Sequence, residues 1–139
     1  MNRPMDTPEV VLRGFMKEMN TWEKQCAVRT ERCISGAMNF DEAEEVGLLE
    51  YMKIFNRYCS IIKGQPRDYY FTEPPDYDPD GEIIEGVTKE SSSMIKIQTR
   101  QHYGHQKRHI FRLIQENGEW RLFDRQILMD DGEVLESTL

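Results

Sequence analysis

The chain has 139 residues, 38% of them apolar and 31% charged, with a net charge of −7. That length fits one domain around one core, the regular spacing of the apolar residues excludes a disordered chain, and no run approaches the roughly 18 apolar residues of a membrane span. The opening Met1-Asn2-Arg3-Pro4-Met5-Asp6 has no apolar leader core, so the sequence predicts a cytoplasmic protein.

A first helix is predicted over about 7–33. Thr7 can cap it, Pro8 suits the first helical position, and Glu9 complements the dipole. Val11, Phe15, Met19, Trp22 and Cys26 then recur at helical steps, widened by Leu12 and Met16, while Lys17, Glu18, Glu23 and Lys24 read as lying off that stripe. Ser35-Gly36 breaks the pattern. A second helix is predicted over about 41–63, with Asp41 and Glu44 at capping-box spacing. It has two adjacent apolar stripes, Leu48-Met52-Phe55-Cys59-Ile62 and Tyr51-Ile54-Tyr58-Ile61. So wide a face predicts a central helix touching more than one neighbour. Lys63-Gly64 and Pro66 end it.

Asp68 to Thr72 is compatible with a short strand. The acidic, aromatic stretch 73–81, Glu73-Pro74-Pro75-Asp76-Tyr77-Asp78-Pro79-Asp80-Gly81, is a loop, because its prolines remove donors and fix the backbone. A sheet follows over about 82–129. Ile95, Ile97 and Thr99 alternate with polar residues, as do His109, Phe111 and Leu113, and Asn117-Gly118 is a strong hairpin signal. Residues 130–139 read as an acidic tail. The whole is one α+β domain over 1–139, helices first and antiparallel sheet second.

Charge is segregated along this order. Residues 73–90 hold seven acids against Lys89, residues 94–129 hold seven bases against three acids, and 130–139 add four acids. The acidic total opposes phosphate approach, which argues against nucleic acid as a partner. Cys26, Cys33 and Cys59 sit in helical apolar patterns and read as buried thiols. His102, His105 and His109 do not complement them, so no metal is expected. Asp76, Asp78 and Asp80 alternate but lack the rest of a calcium loop. There is no phosphate loop or nucleophile elbow, and no cofactor is expected.

The order of elements, with Gly118-Glu119-Trp120-Arg121-Leu122 opening a late strand, resembles the nuclear-transport-factor-2-like (NTF2-like) fold. That resemblance implies a cone, in which helices fill the mouth of a strongly curved sheet. Thr7-Pro8-Glu9-Val10-Val11, Phe15-Met16-Lys17-Glu18-Met19 and Trp22-Glu23 resemble the opening of the NTF2-like immunity proteins of bacterial polymorphic toxin systems of the Rhs or contact-dependent type. The resemblance implies an antitoxin: a small cytoplasmic toxin inhibitor that serves bacterial competition by protein binding and has no catalytic step. It also implies sheet faces that pair between subunits, for which Ile110, Ile114, Phe123 and Ile127 are available in a homodimer.

Two readings of the site follow. In the first, the loop binds a cognate toxin, itself expected to be basic, with Tyr77 as an anchor and Asp76, Asp78, Asp80 and Glu82 as partners for Arg or Lys. In the second, the cone is a pocket for an isomerase, dehydratase or cyclase, or for a small ligand. Asp124 is then the base on the strand face of Trp120 and Leu122, with His109 and Tyr58 supplying a proton or hydrogen bond.

Overall fold

The computed structural model describes residues 6–60, 71–72, 74–103, 106–137 and 139. The strand suggested by Asp68 to Tyr70, the helix stop at Lys63-Gly64, and Gly104 and His105 lie outside them.

Helix α1 spans Pro8–Ile34. Thr7 caps it as expected, its hydroxyl accepting from Val10 N at 3.3 Å. Leu12, Phe15, Met16 and Met19 are fully buried, and this stripe continues through Trp22 and Cys26. Helix α2 spans Phe40–Tyr58, beginning one residue before the expected start and stopping short of the expected end. The cap is Asn39 rather than Asp41. Asn39 Oδ1 accepts from Asp41 N at 2.8 Å and Glu42 N at 3.4 Å, so Asp41 is inside the first turn, where its charge suits the dipole. At the far end Cys59 is already extended, and Ser60 N donates to Leu122 O at 2.7 Å. Arg121 closes the helix by donating to Cys59 O at 2.9 Å and to Asn56 O, which satisfies carbonyls that a helix end leaves open.

Five strands follow: β1 (Glu82–Ser91), β2 (Met94–Gln101), β3 (Arg108–Glu116), β4 (Glu119–Leu128) and β5 (Val134–Ser137). They pair in chain order as an antiparallel sheet. Asn117 and Gly118 adopt φ of 50° and 79° at the β3–β4 hairpin, the left-handed pair such a turn requires. The tail is not a plain solvated tail. Gly132, at φ 88°, turns the chain back, and β5 pairs with Arg125–Leu128.

α1 lies against the sheet through β4, and α2 packs mainly on α1. The helix expected to be central is therefore the outer one. Trp22 locks the pair, its indole donating to Gly47 O at 2.8 Å. Burial places Ile97, Thr99, His109, Phe111, Leu113 and Leu122 on the inner sheet face.

A β-bulge in β4 decides what shares that face. Leu113 opposes Leu122, but Arg112 opposes Asp124, so Phe123 is an extra residue in the register. Alternation restarts one step later. Arg125, opposite Phe111, turns inward, and Asp124 turns outward beside Arg112. Bulges bend a strand and sharpen its twist. β1 has a second one between Ile84 and Gly86.

Candidate functional site

The acidic loop is built into the domain. Phe71 packs on the core. Tyr77 is fully buried, 5.2 Å from Phe15 in an edge-on ring pair. Its backbone is held from α1: Asn20 donates to Tyr77 O at 2.7 Å, and the Glu23 carboxylate accepts from Tyr77 N at 3.1 Å and Thr72 N at 3.4 Å. Glu23 is itself fully buried, against the expectation that it lies off the stripe. Burial pushes its carboxyl above the ordinary 4.5, partly offset by the backbone N–H groups of Tyr77, Asp76 and Thr72. The residue is one turn beyond Met19, a position from which burial could have been read.

Arg125 holds the loop from the sheet. Its Nη2 lies 3.1 Å from Asp76 Oδ2, and its guanidinium carbon sits 4.9 Å from the centre of the Tyr77 ring. The Tyr103 hydroxyl donates to Asp76 O at 3.1 Å. Asp78 closes a tight turn, its Oδ1 accepting from Asp80 N at 3.0 Å and Gly81 N at 3.2 Å. A side chain at Gly81 would meet the Tyr103 ring at 2.5 Å, so only glycine fits there.

Below the loop lies a buried polar cluster. Glu82 accepts from Thr99 Oγ1 at 2.5 Å and Gln101 Nε2 at 3.3 Å, and His109 Nδ1 is 3.1 Å from its Oε2. All four residues are at most 4% exposed. Burial raises the Tyr103 hydroxyl well above its usual range, and the carboxylates of Glu82, Asp78, Asp76 and Glu23 add to the rise. The cluster is acidic, with Arg125 as a buried guanidinium within it.

These positions revise both site readings. Tyr77 and Glu82 are inside the domain and cannot anchor a partner from its surface, and Asp76 is turned to Arg125. Asp78 shapes the turn, which leaves Asp80 as the exposed acid of the group. The pocket triad is not assembled. Asp124 faces outward, 3.8 Å from Arg112. His109 is turned to Glu82, and Tyr58 donates to Glu18 on α1, which also binds Arg57. Burial and that bond push Tyr58 up to about 12. Grooves of about 520, 490 and 540 Å³ open along the helices, and none of the three includes His109 or Asp124.

Several charged and polar groups of the outer sheet face pair within the domain. Arg100 pairs with Glu85 at 3.0 Å and Arg112 with Glu90 at 2.9 Å, and Gln126 donates to Glu136 at 2.9 Å. Of the four residues expected to pair sheets, Ile110 is already 6% exposed and Ile127 opposes His109. The three cysteines are buried free thiols, and burial pushes Cys59 upward. Among the described residues, no group of three His, Cys, Asp or Glu could hold a metal ion, and no helix is long and apolar enough to cross a membrane.

Two helices on an open five-stranded antiparallel sheet are the arrangement expected of an NTF2-like fold. The family described as NTF2 fold immunity protein (Imm-NTF2) matches residues 7–135. The chain belongs to this family. The match covers both helices and reaches into β5, so the immunity-protein resemblance seen at Thr7 to Glu23 extends to the sheet. No curated protein and no solved structure is significantly similar to this chain.

Proposed function

We propose that this immunity protein neutralises a cognate bacterial toxin in the cytoplasm by binding it and occluding its active site, with no catalysis of its own. The family match over residues 7–135 carries the reading. The unassembled Asp124, His109 and Tyr58 set and the net charge of −7 support it. An acidic inhibitor suits a basic toxin, because opposite charge speeds encounter and carboxylates can take the place of a phosphate substrate. Of the loop residues expected to meet such a partner, Asp80, with the turn that Asp78 holds, is the exposed one. The experiment is co-expression with the toxin domain encoded beside the gene. Rescued growth and a stable complex are expected, and continued killing with no complex would overturn the proposal.

A further inference from the structure

α2 is more apolar than its own domain requires. Ala43, Gly47, Tyr51, Ile54 and Phe55 form its buried side. Away from that side, Leu48 and Leu49 are 43% and 59% exposed. Met52, half-buried, follows both by one turn, and residues three and four apart are surface neighbours. Phe40, 60% exposed, begins the row that continues through Glu44 to Leu48. Exposed Asp41, Glu42, Glu44 and Glu45 are interleaved with these apolar groups. Among the described residues none of the four acids makes an ion pair. Asp41 and Glu42 complement the helix dipole, whereas Glu44 and Glu45 lie beyond the first turn.

Large apolar residues set among uncompensated carboxylates specify an occupant. A second copy would bring eight acids together across a two-fold axis, at a repulsive cost. An anionic membrane is repelled in the same way. A basic protein surface with an apolar centre matches on both counts. We infer that the outer face of α2, from Phe40 to Met52, docks such a basic protein. Leu48 and Leu49 form its dry centre, and Glu44 and Glu45 pair with Arg or Lys at its rim. Resting on the proposed function, this makes the cognate toxin the occupant.

The test uses the full chain and the purified toxin domain encoded beside its gene, with Leu48→Gln plus Leu49→Gln and, separately, Glu44→Lys plus Glu45→Lys. The leucine pair should weaken Kd at least tenfold, and the glutamate pair should slow association severalfold at low salt, less at high salt. Should the leucine variant fail to fold, the glutamate variant decides alone. If wild type binds and both variants bind as it does, the docking surface is wrong while the immunity function stands. If wild type does not bind, the immunity function falls and this inference with it. Light scattering that shows a wild-type dimer reduced to monomer by the leucine substitutions would place a second copy on this face and overturn the inference.

Discussion

The loop 74–81 and the amino-terminal half of α2 have similar compositions and opposite fates. Each combines carboxylates with large apolar or aromatic groups. The loop sends Tyr77 into the core and fixes Asp76 on Arg125, whereas α2 leaves Leu48 and Leu49 in solvent. Backbone hydrogen bonding explains the difference. A loop has no internal ladder, so its N–H and C=O groups need outside partners. Asn20, Glu23 and Tyr103 supply them and draw the loop inward. A helix satisfies its own backbone, so its outer face needs nothing from the domain and is open to a partner. Acid and aromatic content alone therefore does not mark an interface.

The contrast can be broken most decisively at Tyr77. Tyr77→Ala should lower unfolding free energy by about 3–5 kcal/mol, read by denaturant titration, and a loss below about 1 kcal/mol would mean that the loop is not core. Arg125→Met should cost about 1–3 kcal/mol by leaving Asp76 without its guanidinium, and adding Asp76→Asn should recover part of that loss. A third test concerns pH. Because Glu23 titrates above its ordinary 4.5 in the fold, the folded state holds its proton more tightly than the unfolded chain. The resulting destabilisation is absent below pH 4.5 and grows as pH rises through the folded value. Glu23→Gln lacks this slope, so the melting temperature of the variant minus that of wild type should climb from pH 4.5 and then level off. A flat difference would show that Glu23 is not held in a desolvated site. Asp80→Lys should slow toxin association less than Glu44→Lys with Glu45→Lys at equal ionic strength, and the reverse order would return the interface to the loop. The smallest effect belongs to Leu49→Ala, which should change stability by no more than about 0.5 kcal/mol in thermal unfolding.

Local signals in the sequence located what local physics controls. Thr7-Pro8 begins α1, Asn117-Gly118 makes the hairpin, and the alternation of Ile95 to Thr99 makes a half-buried strand. Asn39 was concealed by Asp41, which offers the same chemistry two residues later. β5 was concealed by its charge, although Asp131-Gly132 is a turn signal ahead of Val134 and Leu135. The α2 stripes were legible as residues but not as geometry. Periodicity shows that a face is apolar and says nothing of whether the chain itself covers it. The buried polar cluster was the least legible part, since Glu23, Glu82 and Arg125 are types that normally stay in water, and only tertiary contacts retain them.

The extra residue in β4 has a consequence for how chains of this fold vary in length. Because Phe123 interrupts the register between Leu122 and Asp124, removing it would straighten the strand while leaving Leu122 and Arg125 inside and Asp124 outside. Removing a residue from a regular stretch would instead invert every side chain beyond the cut. Position 123 is thus a joint at which β4 can gain or lose one residue without exchanging the contents of interior and surface, and two chains that differ there would align with a gap and still build the same core.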